Sequence, residues 1–67
     1  MQLTINGKLQ SFDEVTSTVA HLVRFLNLEG KRLAIERNGE IVPRSQFAAT
    51  QLVDGDKLEI VGAVGGG

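Results

Sequence analysis

The chain has 67 residues, a formal net charge of −1, one histidine and no cysteine. That length allows one small domain, which buries only about 60% of the surface its unfolded form exposes. The composition excludes thiol chemistry, disulfides and cysteine-built metal sites, and interspersed charges with only three Phe as aromatic residues argue against nucleic-acid binding.

The opening MQLTINGKLQ lacks the apolar run of a signal peptide. No stretch approaches the ~18–20 apolar residues that span a bilayer, so a soluble cytoplasmic protein with no membrane partner is expected. Leu3 and Ile5 precede Asn6-Gly7, and Leu9 and Phe12 follow it. This predicts a hairpin, because both central residues of a type I′ turn need φ > 0.

In the next stretch, DEVTSTVAHLVRFLNLEG, the residues Val15, Val19, Leu22, Val23 and Leu26 fall on one helical face. Thr16 or Ser17 is expected to cap the start, and Asn27 and Gly30 suit the end. Its β-branched residues are mediocre helix formers, so the helix should depend on packing against a sheet.

The hairpin device returns in LAIERNGEIVP, with Leu33 and Ile35 before Asn38-Gly39 and Ile41 and Val42 after it. Pro43 then blocks a central strand, and Ser45 is expected to cap a single helical turn that carries Phe47 inward. Asp54 to Asp56 reads as a turn, followed by a last strand with Leu58 and Ile60 on one face. The predicted order is β-β-α-β-β-short helix-β, an α+β domain over residues 1–61 in which five short strands curl around one helix. Residues 62–67 are left as a tail.

Little in the folded body promises chemistry. His21 lies beside core positions without a second ligand or a cysteine, which suits a surface or boundary role better than a metal site or a catalytic pair. Asp54 and Asp56 bracket Gly55 but lack the remaining ligand spacing of a calcium loop. Ser11, Thr16, Ser17, Thr18, Ser45 and Thr50 have no base partner and suit caps or strand surfaces. GAVGGG is no phosphate loop, since neither a helix nor a Lys-Ser/Thr pair follows it. The chain is therefore expected not to be an enzyme by itself.

The tail is different. From Gly62 to Gly67 the only side chains are those of Ala63 and Val64. Fully extended, the tail reaches about 20 Å, long enough to enter a partner's buried site. Glycines let that backbone pass a constriction that any Cβ would obstruct. The run is either fray or a working end whose reactive group is the terminal carboxylate. Ala63-Val64, a small apolar anchor before the glycines, favours the second reading.

MQLTINGK, LAIERNGEIVPRSQF, LVDGDKLEIVGAVGGG and the short total length together resemble the sulfur carrier proteins of thiamine biosynthesis. These form the ThiS group of the ubiquitin-like β-grasp superfamily, and the resemblance covers essentially the whole chain. It implies a mixed five-stranded sheet around one helix with a flexible Gly-Gly tail. The Gly-Gly end falls on Gly66 and Gly67, with Gly65 as an additional permissive position and Val64 to Gly67 entering a partner's active site.

By the same resemblance, an E1-like adenylyltransferase using ATP and Mg would adenylate the Gly67 carboxylate. A sulfur donor such as a cysteine desulfurase relay would convert it to a thiocarboxylate, and thiazole synthase would take the sulfur. No cofactor is then expected on this chain, and docking contacts are expected on the exposed sheet face. Relatives with the same end leave other roles open: a molybdopterin-synthase small subunit or other thiocarboxylate carrier, or a ubiquitin-like modifier joined to lysines.

Overall fold

Both Asn-Gly pairs occupy hairpin turns. Asn6 and Gly7 have φ of 51° and 84°, and Asn38 and Gly39 have 51° and 88°, the left-handed values a type I′ turn demands. The first turn joins β1 (Gln2–Ile5) to β2 (Lys8–Ser11), and the second joins β3 (Leu33–Arg37) to β4 (Glu40–Val42). These assignments come from a computed structural model that describes residues 1–13 and 17–62.

The helix α1 (Val19–Phe25) is shorter than the apolar spacing suggests. Its cap is Thr18, whose Oγ1 accepts the amide of His21 at 3.2 Å, and not Thr16 or Ser17. Ser17 is taken up differently: its carbonyl accepts the Leu52 amide, while Thr18 forms a bridge with Gln51. Backbone pairing across to that segment holds residues 17 and 18 extended and fixes where the helix begins. Thr16 and Val15, expected at the cap and on the apolar face, lie outside the described residues.

At the other end Asn27 gives the expected stop, whereas Gly30 belongs to a separate turn beyond the helix. Asn27 takes a left-handed φ of 60°, the Leu28 amide bonds the Val23 carbonyl, and the Asn27 amide bonds that of Arg24. Those two bonds form a Schellman turn, which also folds Leu28 back against the core. Ser45 is not a cap. The 3-10 turn Arg44–Gln46 starts from Pro43 with no side-chain hydrogen bond at its head, since the fixed φ of proline already suits that position. Phe47 is half-buried against the core, as expected.

β5 (Lys57–Gly62) is the central strand of a five-stranded sheet ordered β2-β1-β5-β3-β4. It runs parallel to β1 and antiparallel to β3, with the outer pairs antiparallel, so the sheet is mixed. Leu3, Ile5, Ile35, Val42 and Leu58 face α1 and pack with its Val19, Leu22 and Val23 and with Phe12 and Leu52. This is the β-grasp arrangement. No helix among the described residues is long and apolar enough to cross a membrane.

Candidate functional site

β5 is the last described strand and ends at Gly62, where the working tail is expected to begin. Its final residue, Gly62, pairs with Leu33 at the start of β3, so the sheet includes the position where the tail was expected to begin. Ala63 and the expected working residues Val64, Gly65, Gly66 and Gly67 lie outside the described residues. The structure therefore describes the base on which those residues stand.

Two asparagine side chains grip that base. Parallel pairing between β1 and β5 ends at Ile5↔Leu58. Beyond it the carboxamide of Asn6 acts as a further strand residue: its Oδ1 accepts the Ile60 amide at 2.7 Å, and its Nδ2 donates to the Ile60 carbonyl at 3.0 Å. Asn38 does the same at the start of β5, accepting the Lys57 amide at 2.9 Å, while its backbone amide donates to the Lys57 carbonyl. Each asparagine thus serves both its own turn and the central strand. The sequence signal for Asn-Gly turns explains only the first of these tasks.

Asn6→Gly separates the two tasks, because glycine keeps the left-handed turn and removes the carboxamide. Loss of the two Ile60 bonds is expected to lower stability by about 1 kcal/mol. Hydrogen exchange at the Ile60 amide should quicken more than exchange at core amides such as that of Leu22.

Below the Asn38 clamp sits Asp56, the one charged residue buried among those described, at 3% exposure. Its Oδ2 accepts from Arg37 Nε at 2.7 Å and from the Val53 amide at 2.9 Å, and its Oδ1 accepts from Asn38 Nδ2 at 3.0 Å. Burial pushes its pKa up, but the Val53, Arg37 and Asn38 hydrogen bonds and the Arg37 charge outweigh burial and hold it below the ordinary carboxylate value. The neighbouring Asp54 accepts the Gln2 amide at 2.6 Å. Both carboxylates of the Asp-Gly-Asp turn are engaged by donors of the chain itself, which is a fastening role. Asp56 is the functional-looking residue that a plain turn assignment misses.

His21 is exposed, with Nδ1 3.3 Å from Ser17 Oγ. Thr18 caps α1 and Thr50 Oγ1 donates to the Gln46 carbonyl, so these hydroxyls have structural tasks.

The sheet face away from α1 carries Leu9, Ile41 and Val61, exposed at 65%, 64% and 59%. Pairing places Leu9 opposite Thr4, Ile41 opposite Glu36 and Val61 opposite Ala34. In the same row as Ile41, Glu36 also stands opposite Glu59, a like-charge pair that weakens a sheet rather than strengthening it.

A family model described as the ThiS family matches residues 3–67, which includes the whole grip on β5 and the tail beyond it. The chain belongs to the ThiS family. Among ThiS relatives, the sulfur carrier protein ThiS of Bacillus subtilis is 38% identical over 65 residues, covering 97% of this chain and 98% of its own length. The crystal structure of the thiamine biosynthesis protein ThiS from Geobacter metallireducens superposes with a TM-score of 0.81 at 36% identity, covering 91% of each chain. A thiazole synthase of Paramagnetospirillum magneticum is 46% identical over 67 residues, and this chain spans 20% of that protein's length.

Proposed function

We propose that this chain is a sulfur carrier for thiazole formation in thiamine biosynthesis, with the carboxylate of Gly67 as its working group. The observation that carries the reading is the match along nearly the full length of both chains to a protein named a ThiS sulfur carrier. The glycine run from Gly65 to Gly67 suits it, since a tail without Cβ atoms passes a narrow entrance.

A carboxylate resists nucleophilic attack because resonance and charge both oppose it. An adenylyltransferase partner removes that obstacle: a carboxylate oxygen of Gly67 attacks the α-phosphorus of ATP, and pyrophosphate leaves. A sulfur nucleophile supplied by a donor such as a cysteine desulfurase then attacks the acyl carbon, and AMP leaves. When that nucleophile is a persulfide, the product is an acyl disulfide. A second thiol, from the donor or a cellular reductant, then attacks the donor's sulfur and forms a disulfide with it. This releases the thiocarboxylate, a soft nucleophile that lets a cysteine-free chain carry sulfur. This chain's part is that of a substrate arm: β5 presents the arm and the partners supply the chemistry. The relative named thiazole synthase, which includes a segment like this chain, supports thiazole synthase as the acceptor enzyme.

Intact mass spectrometry after incubation with ATP, Mg, the adenylyltransferase and a sulfur source tests the reading. One oxygen of Gly67 should be replaced by sulfur, and subsequent incubation with thiazole synthase and its substrates should return the carboxylate. A mass that never changes would overturn the proposal.

A further inference from the structure

A groove lies on the side of the domain opposite the exposed sheet face, between the end of α1, the loop into β3 and the 3-10 turn. It encloses about 180 Å³, and its floor is apolar: Val23, Leu28, Leu33 and Phe47. The loop geometry fixes its walls. The Schellman turn places Leu28, Gly30 turns the chain at φ 86°, and Arg44 Nη2 donates to the Lys31 carbonyl at 2.6 Å, fastening the loop to the 3-10 turn.

The rim is basic. Lys31 and Arg44 stand over the apolar floor, and Arg24 is offset by its ion pair with Glu29 at 3.5 Å. The groove also adjoins the base of the tail. Leu33 in its floor is the cross-strand partner of Gly62, and the two share the helix-side face of the sheet. A Cβ added at Gly62 would meet nothing within 4 Å, so the strand end stands open on that side. An enzyme that draws in the tail comes against this end of the domain.

We propose that this groove is a docking site for thiazole synthase, filled by a surface segment that presents an apolar side chain flanked by carboxylates. The inference rests on the carrier reading, and on relatives in which a segment like this chain is part of a thiazole synthase. The apolar side chain covers Val23, Leu28, Leu33 and Phe47, while the carboxylates meet Lys31 and Arg44. Contact at this point anchors the partner beside the strand end, and leaves the tail to run into its active site. The exposed sheet face remains open for a different partner, so one carrier can present two distinct faces to two enzymes.

The test is binding of the intact carrier to purified thiazole synthase from the same organism, followed by calorimetry at low and at physiological salt. Lys31→Glu reverses a rim charge without touching the backbone carbonyl that Arg44 holds, and Ala20→Leu fills the groove from the helix side. Each is expected to raise Kd about tenfold, and Lys31→Glu also to flatten its salt dependence. Lys8→Glu, on the far edge strand β2, makes the same change of net charge and is expected to leave Kd within about twofold. Matching thermal unfolding curves show that the variants fold.

Groove variants that bind like the intact chain would overturn the docking site, as would variants that bind more tightly, the sign of a groove competing for the partner. Absence of binding by the intact chain would overturn it too. Thiocarboxylate formation, read separately by mass, tells any of these from failure of the carrier reading itself.

Discussion

A chain shortened by Gly66 and Gly67 is expected to fold as stably as the intact one and to yield no thiocarboxylate. The buried core runs from Leu3 to Leu58, and every clamp on β5 acts at or before Gly62. Removing two residues beyond that point should change stability by less than about 0.5 kcal/mol, the usual range for positions without special contacts. Function is affected differently. Each residue of an extended arm contributes about 3.3 Å of reach, so the new terminal carboxylate falls roughly 7 Å short of the position the old one occupied. Misplacement of a reacting group by even about 1 Å can cost on the order of a hundredfold in rate.

Gly66→Val should act in the same direction by another route, since it keeps the reach and adds a β-branched side chain at a position that the proposed function requires to pass a narrow entrance. Adenylation measured as ATP–pyrophosphate exchange, with thermal unfolding in parallel, checks both variants. Full exchange by the shortened chain would show that the tail is not the working part.

Local turn chemistry explains why so much of this fold is legible in the sequence. A 67-residue chain has little room for irregularity, and its turns are written in residue types with few other uses. Asn-Gly appears twice and marks two hairpins because few other pairs accept two successive left-handed conformations. Asn27 marks the end of α1 for the same conformational reason, and the alternation of Leu58 and Ile60 with charged neighbours marks a strand with one buried face.

What the sequence hides is long-range. The start of α1 is set by pairing of residues 17–19 with residues 50–52, more than thirty positions away, so local sequence points to Thr16 or Ser17 as the cap while the fold uses Thr18. Asn6 reaches Ile60 across a separation of 54 residues. Nothing local distinguishes an asparagine that only turns from one that also holds the strand beside the tail. The groove is likewise assembled from the helix end, a loop, β3 and the 3-10 turn, and no single segment carries its pattern.

Asp56 is the strongest case of a hidden contact, and replacing it is expected to have the largest effect on stability of any change to a polar residue of the described body. Asp56→Ala strips acceptors from the Val53 amide, Asn38 Nδ2 and Arg37 Nε together. Arg37 is 30% exposed and can turn to water, but the Asp56 pocket itself is closed. The three hydrogen bonds are part-buried and losing each costs about 1 kcal/mol, so a loss of about 3 kcal/mol is expected where the whole domain is held by on the order of 5 kcal/mol.

Asp56→Asn is the sharper probe. An amide at this position keeps one acceptor oxygen, which either serves Arg37 and Val53 or turns toward Asn38. In the first arrangement its NH2 meets the NH2 of Asn38, and Asn38 cannot flip without giving up the Lys57 amide held by its Oδ1. The near-isosteric variant is therefore expected to be destabilised almost as much as Asp56→Ala.

Acid should weaken the unaltered chain in the same direction. The folded pKa of Asp56 lies below the ordinary value, so the unfolded state takes up its proton first as pH falls. Its contribution is fully present above the unfolded value of about 3.9 and drains away as pH drops through the folded value. Urea unfolding from neutral pH down to the acid limit reads this directly: stability of the unaltered chain should decline steeply below about pH 4, and that of Asp56→Asn more shallowly. Parallel curves would show that the carboxylate charge contributes nothing to the clamp. Because the Arg37-Asp56-Asn38 cluster fixes the start of β5 and Asn6 fixes Ile60, loosening the cluster should free the central strand from its beginning. The arm would then lose the rigid mount that aims it.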